Sequence, residues 1–141
     1  MAIRQISVFV ENKPHRLADI TGVLADGDIS IRAFSIADTA DFGILRLIVN
    51  ETDKAVELLK KAGAAVSITE VVGISIPDVP GSFAKVVKML SDSGDNLEYS
   101  YAFLTPQAGY AYVIVRVEDN EKAEKILREN GITVVDESNE F

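Results

Sequence analysis

The feature that most limits what this chain can fold into is an internal repeat. Pro14 and Pro80 stand 66 positions apart, as do Ala18 and Ala84, Leu24 and Leu90, and Gly43 and Gly109. Further on the offset becomes 68, for Ala55 and Ala123, Leu59 and Leu127, and Gly63 and Gly131. A two-residue insertion near the third strand of the second copy accounts for the change. A fixed period decides architecture before any element is assigned. Two copies of about 70 residues, 1–70 and 71–141, make a duplicated domain and not a solenoid.

The best-matched stretches are Val8–Leu24, VFVENKPHRLADITGVL, and Ile74–Leu90, ISIPDVPGSFAKVVKML. Each opens as a short apolar strand and breaks at a Pro-containing loop. A helical pattern follows at once: Leu17, Ile20, Thr21 and Leu24 in one copy, Phe83, Val86, Val87 and Leu90 in the other, at i, i+3, i+4 and i+7. Proline suits a first helical turn, where its missing N–H is no loss, and an Asp or Ser beside it can cap. The free amides of such a helix start attract anions.

Taken in order, the first copy reads as strand Ile3–Glu11, helix Leu17–Ala25, strand Ile29–Asp38, a turn at Thr39–Asp41 and strand Phe42–Asn50. A helix capped by Thr52 and stopped by Gly63 follows, then strand Ala64–Thr69. The second copy repeats this: strand Val71–Ile76, helix Ser82–Ser91, hairpin Leu97–Leu104 and Tyr110–Val117, a helix capped by Asn120 and stopped by Gly131, and strand Ile132–Asp136. The order is βαββαβ twice, an α+β fold of two four-stranded antiparallel sheets with helices on one face. No Gly/Ser-rich linker separates the copies, which predicts that they pack together. The third strands are apolar on both faces: Ile44 and Ile48 in one copy, Tyr110, Tyr112 and Ile114 in the other. That second apolar face predicts a cover, from the neighbouring unit or from a second copy in a homodimer.

Composition sets limits. A chain of 141 residues can bury a proper core, and a net charge of −8 argues against nucleic-acid binding, which needs clustered Lys and Arg. The absence of cysteine excludes disulfides and thiolate metal sites, and a lone His15 makes no metal centre. No run is long enough to span a membrane and none resembles a signal peptide, so no membrane partner and a cytoplasmic location are expected. There is no P-loop, no G-x-G-x-x-G, no G-x-S-x-G and no cofactor motif.

Two βαββαβ units, each with a loop such as Asn12-Lys13-Pro14-His15 or Asp78-Val79-Pro80-Gly81 before its first helix, resemble a pair of ACT domains. The likeness spans the chain and is closest at Glu11–Leu17 and Ser35–Arg46. It implies a non-catalytic regulatory module holding a free amino acid between paired domains. Carried over by position, the ligand-binding residues are Asn12, Lys13, Pro14, His15, Arg16 and Leu17 with Ser30, and Asp78, Val79, Pro80, Gly81, Ser82 and Phe83 with Asn96. Asp78 or Asn12 would accept from the ammonium; the helix start would donate to the carboxylate. His15 stands where the family carries the glycine present as Gly81, which favours the second loop. Tyr99, Tyr101 and Phe103 alternate where the first copy has Ala33, Ser35 and Ala37, a size difference that bears on a pocket or on packing alone. Two other readings keep the same fold. One is a regulatory subunit acting on a separate catalytic chain, resembling the small subunit of acetolactate synthase. The other is an RNA-recognition module, which the acidic charge opposes.

Overall fold

The computed structural model describes residues 3–38, 41–104 and 108–136. Thr39 of the expected turn and the tail Glu137–Phe141 lie outside them. The chain divides into two compact units, Arg4–Thr69 and, with Ile3, the residues from Glu70 on. The first holds β1 (Ile3–Glu11), α1 (Arg16–Asp26), β2 (Ile31–Asp38), β3 (Phe42–Val49), α2 (Thr52–Lys61) and the start of β4 (Ala65–Pro77). The second holds the rest of β4, then α3 (Ser82–Asp92), β5 (Leu97–Ala102), β6 (Tyr110–Val117), α4 (Asn120–Glu129) and β7 (Thr133–Val135). Strand order is β2-β3-β1-β4 in the first unit and β5-β6-β4-β7 in the second, with β3 antiparallel to β1 and β2, and β4 and β5 antiparallel to β6 and β7 to β4. This is the ferredoxin-like α+β arrangement, twice.

Period-two alternation supplies each core. Ile6, Val8, Leu45, Leu47 and Val49 pack with Leu24, Ala55 and Leu59 in the first unit. Val72, Ile74, Ile76, Val113, Val115 and Val117 pack with Val86, Leu90, Ala123 and Leu127 in the second. The first residue of each helical stripe escapes burial: Leu17 and Phe83 stay exposed at the loop end. Gly73 leaves room for close packing, because a Cβ there would meet Ile3 Cδ1 and lie 2.8 Å from Val135 Cγ2.

Four expectations are corrected. Thr52 is the first helical residue and not the cap; Glu51 takes that place with no side-chain capping bond. Asp119 caps α4 by accepting from the Lys122 amide, while Asn120 Nδ2 donates to the Glu70 carbonyl at 3.0 Å. Ala64–Thr69 and Val71–Ile76 are one element, β4, since nothing at Glu70 breaks it. The insertion near the third strand falls just before it, which undoes the match of Gly43 with Gly109. Glu11 pairs Phe42 while Pro77 pairs Tyr110, so the counterpart of Gly43 is Ala111 and not Gly109.

On the sheet face away from the helices, Ile48 and Ile114 are 1% and 0% exposed, Ile44 and Tyr112 half-buried, and Tyr110 46% exposed. Gln5 and Ser7 are buried there too, bonded Nε2 to Oγ at 3.3 Å, although alternation alone marks that side of β1 as polar. Tyr99 stacks on Tyr101 at 6.5 Å and Phe103 meets Tyr112 edge-on at 5.8 Å. These contacts are ordinary aromatic packing. Among the described residues no helix is long and apolar enough to cross a membrane.

Candidate functional site

Both loops are built alike. The Asn12 amide donates to Asp41 O at 3.1 Å and the Asp78 amide to Gly109 O at 3.0 Å, tying each loop to the following hairpin. The chain then turns through a left-handed residue into its helix: His15 at φ 71°, ψ −8°, and Gly81 at φ 88°, ψ −12°. The histidine therefore adopts the backbone that the glycine adopts, and its presence does not change the loop's path. Backbone conformation therefore gives no reason to prefer the second loop; the closer approach that Gly81 allows to its bare backbone remains one. Neither α1 nor α3 has a side-chain cap; the Arg16 and Ser82 amides donate back to the Lys13 and Val79 carbonyls at 3.4 and 3.3 Å, and the next amides of each first turn are left for solvent or ligand.

The left-handed conformation costs a side-chain-bearing residue about 1–2 kcal/mol, while glycine loses about 0.5–1 kcal/mol through its freer unfolded chain. Equivalent positions should thus respond with opposite signs. His15→Gly is expected to stabilise the protein by about 0.5 kcal/mol and Gly81→Ala to destabilise it by about 1 kcal/mol, read from denaturant midpoints.

The first loop borders a cavity of about 300 Å³ lined by Val10, Glu11, Asn12, Lys13, Leu17, Ile36, Gly43 and Leu45. Its floor is apolar and its rim charged: Lys13 Nζ lies 3.0 Å from Glu11 Oε2. The hydrogen bond from Lys13, its charge and that of Arg16 hold the Glu11 carboxyl below the usual glutamate range. Glu11 is absent from the residues carried over by resemblance. The turn brings it there: the Lys13 amide donates back to the Glu11 carbonyl at 2.8 Å, which folds the two charged side chains together just past the end of β1. Lys13→Met is expected to return the Glu11 titration upward toward an ordinary glutamate, measured by carboxyl NMR. An unmoved midpoint counts against this pair as its cause.

The second loop borders a shallower region of about 600 Å³ with Val79, Pro80, Gly81 and Ser82 on one side and Asn130, Gly131 and Ile132 on the other. The matching surface of the first unit, about 450 Å³, runs from Arg16 and Asp19 to Ala62, Gly63 and Ala64. Pro14, Arg16, Asp78 and Pro80 are exposed, and Phe83 partly so.

Ser30 and Asn96 are not brought to these loops within their own units. Ser30 exchanges hydrogen bonds with Asn50, its amide to Oδ1 at 3.0 Å and its carbonyl from the Asn50 amide at 3.2 Å. Asn12 is bound at Asp41, the other end of β3, roughly 30 Å away at about 3.3 Å per residue. Asn96 likewise precedes β5 at the end of its sheet far from Asp78. Within one unit the far end of β2, Ile36, reaches the loop cavity, whereas Ser30 at its start does not.

A family model described as an ACT domain pair matches residues 1–141. A crystal structure of a Bacteroides thetaiotaomicron protein superposes with a TM-score of 0.89 at 44% identity, covering 96% of this chain and 92% of that one. The ligand-free regulatory subunit of aspartate kinase from Thermus thermophilus gives 0.67 at 18% identity, covering 92% and 93%. Its counterpart from Thermus flavus gives 0.62 at 17%, covering 92% of each. These last two likenesses are of fold. Among curated proteins none matches in sequence.

Proposed function

Because the chain belongs over its whole length to the family of ACT domain pairs, we propose that it is a non-catalytic sensor that binds a free amino acid at its strand–loop–helix turns. The carrying observation is the same left-handed turn, made by His15 and by Gly81, into two helix starts without side-chain caps. The ligand's carboxylate takes the first-turn amides, assisted at the first loop by Lys13. Its ammonium takes Glu11 in one loop and Asp78 in the other. The cavity floor of Val10, Leu17, Ile36 and Leu45 suits an apolar side chain in the first loop. Ser30 and Asn96, far from the loops of their own units, serve a loop of another copy, which makes the working form a homodimer.

A thermal-shift screen against the twenty amino acids tests this, with Glu11→Gln and Asp78→Ala run beside the parent protein. A response from one or more amino acids that one of the variants removes is the expected result. No response, or one that both variants leave intact, sinks the assignment. A second reading is a regulatory subunit on a separate catalytic chain, which rests on similarity of fold to regulatory subunits of aspartate kinase. Co-purification of an enzyme with the tagged chain separates it from a free-standing sensor.

A further inference from the structure

Gly43 lies inside β3, on the face that buries Leu45, Leu47 and Val49 in the core. A glycine within a strand has three usual reasons: a bulge, a left-handed backbone, or the close approach of a ligand or another chain segment. The ladders of β3 with β1 and with β2 run in unbroken register past Gly43, so there is no bulge at this position. Its φ is not positive, so the backbone does not require glycine. A Cβ there would meet the Ala37 and Val10 carbonyl oxygens at 3.4 and 3.8 Å, and no side chain of the described residues within 4 Å. The missing side chain thus leaves open room. That room belongs to the cavity of about 300 Å³ that Gly43 lines together with Val10, Leu17, Ile36 and Leu45. We infer that the place left open at Gly43 receives the side chain of the bound amino acid, and that Gly43 sets its size, so that the first loop selects a large apolar amino acid of the leucine or phenylalanine kind. The inference rests on the proposed function and names the ligand class of that site.

The walls decide which side chains fit. Leu17 and Ile36 are 38% and 53% exposed, apolar surface that an apolar ligand takes out of water. The charged side chains of the cavity, Glu11 and Lys13, pair with each other at its rim, where they meet the ligand's ammonium and carboxylate. The floor of Val10, Leu17, Ile36 and Leu45 has no side-chain partner for a carboxylate, an ammonium or an amide. Placing such a group there leaves it unpaired, which is costly. The volume stands at the lower end of the roughly 300–1,000 Å³ usual for small-molecule sites, room for one amino acid. The second unit is built differently at the same register. Ala111 pairs with Ile76 and Ala102 with Val113, where the first unit pairs Gly43 with Val10 and Ile36 with Leu45. The preference is therefore a property of the first loop.

Calorimetry on the Asp78→Ala chain, whose second loop lacks its ammonium partner, isolates the first loop. Leucine and phenylalanine are expected to bind at least about tenfold tighter than alanine, which leaves the place at Gly43 unfilled. Asparagine matches leucine in shape with an amide in place of two methyl groups, and is expected to bind at least about tenfold more weakly than leucine. Gly43→Ala and Gly43→Val, added singly, are expected to keep the ligand-free fold by circular dichroism. They lower the affinity for phenylalanine about tenfold or more and that for alanine less than about twofold. A purely structural role for Gly43 would lower both affinities alike. Asparagine binding as tightly as leucine, or a phenylalanine-to-alanine ratio that neither substitution lowers, overturns the inference and leaves the proposed function standing. Absence of heat from all twenty amino acids, in the parent chain as in Asp78→Ala, overturns both.

Discussion

Leu90→Ala lowers the stability of this protein by about 2–5 kcal/mol, the expected cost of emptying a fully enclosed leucine site. Leu90 is 0% exposed, within a cluster that includes Val72, Ile74, Val86, Val115 and Leu127. The lost transfer energy is compounded by a cavity that β-branched neighbours on a paired sheet fill poorly. For a chain of this size a loss of about 3 kcal/mol corresponds to a fall in Tm of roughly 10 °C. Leu90→Met, which keeps the volume, is expected to cost under about 1.5 kcal/mol. Equal losses for the two variants in denaturant unfolding would show that packing at this site is not what Leu90 provides.

The second large effect is that of the ligand. At about 100 times its Kd an amino acid that binds only the folded state adds about 2.7 kcal/mol, a rise of roughly 5–10 °C for unfolding close to two-state. The magnitude depends on concentration and not on which amino acid it is, so it can be checked against an independent calorimetric Kd. Glu11→Gln removes the ammonium's partner at the first loop, Asp78→Ala at the second. If both loops bind, each variant is expected to halve the calorimetric stoichiometry; if one binds, one variant abolishes heat and the other leaves it unchanged. A rise under about 1 °C at saturating concentration contradicts specific binding to the folded state.

The repeat made most of the fold legible, because two noisy copies of one pattern constrain each other. Ala55 and Ala123, or Leu59 and Leu127, are each ambiguous alone, yet their shared offset fixes the last helix of each unit, and all four are buried. What escaped were choices between adjacent residues of similar chemistry. Thr52 and Asn120 are good capping types, but Glu51 and Asp119 precede them, and burial of Thr52 and the Asn120–Glu70 bond decide the matter through tertiary contacts. Gly109 aligned with Gly43 by identity alone, while the hydrogen-bond ladder shifts the match by two. At the candidate site, loop and helix start were legible from residue identity, but that His15 takes up the left-handed backbone of Gly81 was not, because a histidine gives no such signal on its own. That Ser30 lies far from its own loop follows from strand direction, and becomes visible only once the strands are laid side by side.

The paired left-handed turns carry one more implication. Backbone and side chain have been uncoupled between the copies: the path is the same, while one loop carries Glu11, Lys13, His15 and Arg16 and the other only Asp78 among its charges. On the proposed function, a substitution at one rim would retune one input and leave the other untouched. Duplication would then give this chain two receptors of common mechanics and separate tuning, so that a single molecule could weigh two concentrations, or two metabolites, against each other.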